Sequence, residues 1–232
     1  MRRLACLVAA LGASALSGSG AHAVTFGFGC ITNKLAGDCA IGQAQLTVDV
    51  TAGPGPNQVT FTFSNAGASA SSITDVYFAD GPLLGISKLR DKDDSIAALG
   101  GYGAAGVDFT SGGASPPNLP GGNLVSPPFV VTAGFLADSD PPTQPNGVNP
   151  GEYLQIVFNL KSGKSLADTL DALALGGAEG GLRIGVHVQG FSSGGSESFI
   201  NTVPAPIPEP GTSALLALGL AFLAATARHR PA

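Results

Sequence analysis

Two runs of strict alternation, separated by a proline-glycine turn, limit what this chain can fold into. Leu46, Val48 and Val50 alternate with Gln45, Thr47 and Asp49; beyond Gly53-Pro54-Gly55-Pro56-Asn57, Val59, Phe61 and Phe63 alternate with Thr60, Thr62 and Ser64. Successive strand side chains point to opposite faces, so each run buries one apolar face and wets the other. The turn residues reverse the chain, which predicts an antiparallel hairpin on a core. Alternation returns at residues 152–160, where Leu154, Ile156, Phe158 and Leu160 share a face. It returns again at 182–189, where Leu182, Ile184, Val186 and Val188 point inward and Arg183, His187 and Gln189 outward. Further strands are expected at 73–80, at 83–89 as its partner, at 129–133 and at 197–202. One helix is predicted: Ser165 as N-cap, Asp168 at the capping-box position, Leu166, Leu170 and Leu173 at helical spacing, and a stop at Gly176-Gly177. About seven to nine short strands, one short helix and no internal repeat point to an all-β fold, an antiparallel β-sandwich of jelly-roll or immunoglobulin-like type.

Residues 100–150 break the pattern, with nine prolines between 111 and 150. So long an irregular stretch either carries binding function or wraps a sheet edge. Both readings stay open on sequence grounds.

The two ends are of a different kind. Arg2 and Arg3 precede an apolar run over 4–16, and Ala21-His22-Ala23 puts small residues at a signal-peptidase cut before Val24. Residues 1–23 therefore read as a secretory signal helix for export by the general secretory route. At the far end, prolines at 204, 206, 208 and 210 enforce an extended stalk. An apolar helix over 213–227 follows, and Arg228 and Arg230 hold its end on the cytoplasmic side. The uncharged run 214–227 is shorter than the ~18–20 residues of a comfortable span, which suits a segment that must leave the bilayer. The chain thus divides into signal (1–23), ectodomain (24–203) and tail (204–232).

Export places Cys30 and Cys39 in an oxidising compartment, where a disulfide between them is expected to contribute about 2–3 kcal/mol. Two thiols with one distant histidine do not make a four-ligand zinc set. The ectodomain holds 7 basic and 15 acidic residues, a net charge of −8, which disfavours a nucleic-acid partner. Two acidic clusters, Asp91-Asp93-Asp94 and Asp138-Asp140, could offer oxygen ligands to calcium, with Asp138 and Asp140 preferred; the other reading is a solvated loop. No other cofactor is expected.

Two strings imitate catalytic motifs. Gly190-Phe191-Ser192-Ser193-Gly194 matches a hydrolase nucleophile elbow, but glycine rather than a helix follows it and His187 precedes it, so a hairpin turn is expected. Gly101-Tyr102-Gly103-Ala104-Ala105-Gly106 matches a dinucleotide fingerprint, yet no helix follows to hold a pyrophosphate. The domain has no tryptophan, and its tyrosines are Tyr77, Tyr102 and Tyr153, so aromatic sugar platforms are scarce.

Pro208-Glu209-Pro210, a short apolar helix and a terminal arginine cluster, in that order, resemble the PEP-CTERM sorting signal of Gram-negative bacteria. The resemblance implies an exosortase, a membrane transpeptidase, as processing partner and transient anchoring in the inner membrane. It also implies final placement at the outer surface or in the exopolysaccharide matrix of a biofilm. The intervening domain resembles uncharacterised exported proteins with the same signal. The matching pieces are Phe28-Gly29-Cys30-Ile31-Thr32-Asn33, Asn118-Leu119-Pro120-Gly121-Gly122-Asn123, Ala137-Asp138-Ser139-Asp140-Pro141-Pro142 and Gly185-Val186-His187-Val188-Gln189-Gly190-Phe191. That family implies a fold and a location, not an activity. The expectation is a non-enzymatic surface or matrix protein; the alternatives are a carbohydrate-binding module and a glycan-active enzyme.

Overall fold

A computed structural model describes residues 23–79, 84–90, 106–111, 117–131, 136–161 and 163–203. The elements are β1 (Val24–Cys30), α1 (Ala36–Gln45), β2 (Leu46–Ala52), β3 (Gln58–Asn65), β4 (Ser72–Ala79), β5 (Leu84–Arg90), β6 (Phe109–Ser111) and β7 (Leu136–Ser139). They continue with α2 (Thr143–Asn146), β8 (Tyr153–Leu160), α3 (Leu166–Leu175), β9 (Arg183–Gln189) and β10 (Glu197–Asn201). A 3-10 turn spans Gly122–Leu124.

The fold is mostly β, and its strands form one curled antiparallel sheet in the order β5-β8-β3-β2-β1-β10-β9-β4-β7-β6. Continuity runs through β1, whose first half pairs with β2 (Val24 opposite Val50) and whose second half pairs with β10 (Phe28 opposite Asn201). The expected sandwich had two separate sheets; here a single sheet bends at β1 and lays one half over the other. The strand count slightly exceeds the expected range because β1, β6 and β7 are short or glycine-bearing and give little alternation to read.

The predicted hairpin forms: β2 and β3 pair from Leu46–Asn65 to Ala52–Val59, and Asn57 at φ 58 turns the chain. Its inward residues Val48, Val50, Phe61 and Phe63 are fully buried. The two halves meet through a cluster of rings. Phe78 on β4 stands edge-on to Phe61 (5.2 Å), Phe63 (6.2 Å) and Phe158 (4.8 Å) from the opposite half. Each such pair is worth about 0.5–1.5 kcal/mol beyond the area it buries.

The helix after Ser165 forms as predicted, with both halves of its capping box made: Ser165 Oγ accepts from Asp168 N–H, and the Asp168 carboxylate accepts from Ser165 N–H at 2.8 Å. The Ser165 hydroxyl, the Ser165 backbone amide and the Lys164 ammonium, in that order, draw the Asp168 pKa from 3.8 down to about 2. A depressed carboxylate stabilises the fold above its unfolded pKa. This contribution is complete above about pH 4 and fades as the pH falls through 2. Carbon-13 NMR titration of the Asp168 carboxyl is expected to show a midpoint near 2, moving toward 3.8 in Ser165→Ala.

Several expectations change. A second helix of the same length, α1, precedes β2 and packs through Gly42, where any Cβ would overlap the Phe199 ring. The strand at 84–90 pairs with β8 and not with β4, because both edges of β4 are occupied by β9 and β7. Residues 129–131 are irregular, and the strand of that region lies at Leu136–Ser139. His187 is not on a wet face: it is buried, at 8% exposure. The reason lies in the proline-rich segment. Residues 117–131 lie over a face of the sheet rather than along its edge, with Leu119 and Phe129 packed on Tyr77 and against Gly185, so β4 and β9 are buried on both sides. Arg183 pins this cover by donating to the carbonyls of Pro127 and Pro128, each at 2.7 Å, with its guanidinium 5.3 Å from the centre of the Phe129 ring.

Antiparallel pairing of β1 with β10 puts the start of β1 beside the end of β10, and Thr202 N–H donates to the Gly27 carbonyl at 2.9 Å. Ala23 and Val203 are both exposed there. Entry and exit therefore share one end of the sheet.

Candidate functional site

Ala23 lies immediately ahead of β1, so a cut before Val24 would free the first strand without trimming it. Ala21, Pro208, Glu209, Pro210, Arg228 and Arg230 lie outside the described residues, as do Asp91, Asp93, Asp94 and residues 101–105 of the glycine string. Among the described residues no helix is long and apolar enough to cross a membrane.

Cys30 and Cys39 are joined as a disulfide with Cα atoms 5.4 Å apart, tying the end of β1 to the first turn of α1. Glu197, 1% exposed, sits against it with Oε2 3.9 Å from Cys30 Sγ. That carboxylate accepts from Leu35 N–H (2.7 Å) and from the Thr32 hydroxyl. Leu35 is the residue that opens α1, and its own side chain makes no capping hydrogen bond. Glu197 takes that place from across the sheet, at the end of the helix where a negative charge is favoured.

The Gly190–Gly194 string forms the turn between β9 and β10, with Gly190 and Gly194 at φ 68 and 78 and Gly194 N–H donating to Phe191 O. Ser192 is exposed, and Ser193 Oγ donates to Asp38 Oδ2 at 2.6 Å, fastening the turn to α1.

Sequence reasoning missed a polar row across four neighbouring strands. Asp138 (β7) is register partner of Asp75 (β4), Asp75 of His187 (β9), and His187 of Ser198 (β10). His187 Nδ1 lies 3.1 Å from Asp75 Oδ2, which also accepts from Thr74 Oγ1 at 2.9 Å. Ser198 turns its backbone toward β1, where its carbonyl accepts from Ile31 N–H and its N–H donates to Thr32 Oγ1. Ser198 and His187 are thus a non-hydrogen-bonded pair, the arrangement that brings cross-strand side chains closest. Tyr77, one pleat along, has its hydroxyl pKa raised by burial, then by the charges of Asp75 and Asp138 and a hydrogen bond to Asp75. The types Asp, His and Ser suggest a nucleophilic triad, but Ser198 is 0% exposed and does not bond to the imidazole. Acyl transfer needs the hydroxyl oxygen to reach a carbonyl carbon, and in this arrangement none can approach. The row pairs Asp75 Oδ2 with His187 and Thr74, while Ser198 Oγ stays buried without a hydrogen-bond partner.

Asp138 and Asp140 lie at the β6–β7 edge. Both Asp140 oxygens accept from the Thr110 hydroxyl (2.8 and 3.0 Å), and Asp140 N–H donates to the carbonyl of Asp108, a third acid beside them. Neither belongs to a convergent set of three ligand atoms among the described residues. At the end of the sheet opposite Ala23 and Val203, an open groove of about 470 Å³ is lined by Ser71, Ser72, Gln144, Asn149 and Gly190 among others. Its polar groups are partly committed: Ser72 Oγ donates to Gln144 O, and Asn149 Nδ2 to Glu152 Oε2.

With this geometry in place, comparison with known families finds the PEP-CTERM protein-sorting motif at residues 206–230. The chain carries this sorting motif at 206–230, which supports an exported protein sorted by an exosortase and is consistent with transient anchoring in the membrane. No curated protein and no solved structure matches the chain.

Proposed function

We propose that this is a non-enzymatic exported protein that an exosortase releases from the inner membrane to the cell surface or extracellular matrix, where it associates with exopolysaccharide. The observation that carries the reading is the matched motif at residues 206–230, with its Pro-Glu-Pro sequence, short apolar run and basic end. Both exits of the ectodomain share one end of the sheet, so while the tail is in the bilayer the end bearing α1 and the groove faces outward. The groove favours a second reading, a carbohydrate-binding module, since its exposed Gln144 amide and half-buried Asn149 suit a hydroxyl-rich polymer. A glycan-active enzyme is the third reading.

The test is an incubation of the full-length chain, in detergent, with the producer's own exopolysaccharide. Co-sedimentation without release of soluble sugars is the expected result. Retention that falls in Gln144→Ala would favour the binding module, released sugars would make the protein an enzyme, and no retention would refute the polymer association.

A further inference from the structure

Among the described residues, one cluster of three metal-ligating side chains converges: Cys30, Cys39 and Glu197, whose ligand atoms all lie within 4.8 Å of one another. Cys39 and Glu197 are buried, at 4% and 1% exposure, and Cys30 is partly buried. The carboxylate is held firmly, Oε1 by Leu35 N–H and Oε2 by the Thr32 hydroxyl, whose oxygen in turn accepts from Ser198 N–H at 2.9 Å. No Lys, Arg or His pairs with it among the described residues. A buried carboxylate needs compensation, and the N-terminus of α1 supplies only partial charge.

We propose that, when the disulfide is reduced, Cys30, Cys39 and Glu197 take up a single thiophilic divalent cation of the zinc or cadmium type. A dithiol reductant supplies the two electrons and two protons that convert the bridge to two thiols and is itself oxidised to a cyclic disulfide. On binding, the thiols release those two protons and their thiolates form two metal–sulfur bonds, with the Glu197 oxygen as third ligand. Sulfurs around a tetrahedral ion lie about 3.8 Å apart, given metal–sulfur bonds of about 2.3 Å, and Cα atoms 5.4 Å apart permit that separation. Two soft sulfurs with one oxygen select a thiophilic ion over calcium or magnesium. The hydrogen bonds from Leu35 and Thr32 already aim the carboxylate, as outer-shell partners do in metal sites. The bridge therefore acts as a redox gate: oxidised it closes the site, reduced it opens one.

The experiment titrates the reduced full-length chain, in detergent and with free thiols counted by alkylation, with Cd²⁺ alone while following the thiolate-to-metal charge-transfer band. One equivalent is expected to bind to the reduced chain and none to the oxidised one. Thr32→Val, which removes the donor and leaves all three ligands, is expected to weaken binding about 10–100-fold. Glu197→Gln is expected to weaken it further. No band in a reduced chain with three countable thiols, Cys6 and the two of the opened bridge, overturns the proposal. So does a reduced chain that loses its circular-dichroism spectrum, because the carboxylate then has no fixed place. Should Glu197→Gln fail to fold, unchanged affinity in Thr32→Val overturns it equally, since two thiols alone would then account for the binding.

Discussion

Phe78→Ala is expected to cost about 3–5 kcal/mol of unfolding free energy, the range for deleting a fully buried ring. The ring is 0% exposed and contacts aromatic partners from two strands of the opposite half, Phe61 and Phe63 on β3 and Phe158 on β8. Removing it opens a cavity between the halves and deletes three edge-on ring pairs at once. The surroundings cannot close the gap easily, because β4 is clamped between β9 and β7. Domains have about 5–15 kcal/mol of stability, so the loss takes a large share. Phe78→Leu keeps much of the apolar volume and is expected to cost less. Urea unfolding of the full-length chain in detergent, followed by circular dichroism, measures both. A loss below about 1 kcal/mol for Phe78→Ala would contradict the view that this ring joins the two halves of the sheet.

The parts of the fold legible in the sequence are those whose signals are local. The β2–β3 hairpin carries its alternation and its turn in one stretch, and α3 carries its own cap in Ser165 and Asp168. Helix α1 contains Gly37 and Gly42 and has no cap from a neighbouring side chain; the carboxylate at its start belongs to Glu197, 162 residues further on from Leu35. A signal for Glu197 did exist. It lies two positions before Phe199 on a strand, so it shares the inward face, and an acid at an inward position is a buried carboxylate awaiting donors. Asp75 was harder to see because the register shifts between Ile73 and Asp75, which changes the phase of the alternation. His187 was misplaced for a different reason. Alternation assumes that one face is wet, whereas the segment 117–131 covers the second face of this half, a contact between distant segments that periodicity does not reveal. The single curled sheet was likewise hidden, because β1 divides its pairing between two partners.

The other large effect concerns the tail. Substituting Pro208 and Glu209 by Ala in the sorting motif at 206–230 is expected to abolish processing while leaving the ectodomain folded, since the last backbone hydrogen bond with β1, from Thr202 N–H to the Gly27 carbonyl, precedes the motif. Prolines at alternate positions of 204–210 remove amide donors and disfavour a helix, which suits recognition of this stretch by a membrane enzyme. An apolar run below the ~18–20 residues of a comfortable span suits a segment that has to be withdrawn, and Arg228 and Arg230 suit a cytoplasmic end by the positive-inside rule. With the motif altered, the chain stays in the membrane as an anchored precursor.

Mass spectrometry of the mature C-terminus in the producing bacterium, comparing the native chain with Pro208→Ala/Glu209→Ala, tests this most directly. The native chain is predicted to end upstream of the apolar run at 214–227 and the variant to retain residues through Ala232. Identical C-termini in the two, whether both cut or both intact, would contradict sorting through this motif.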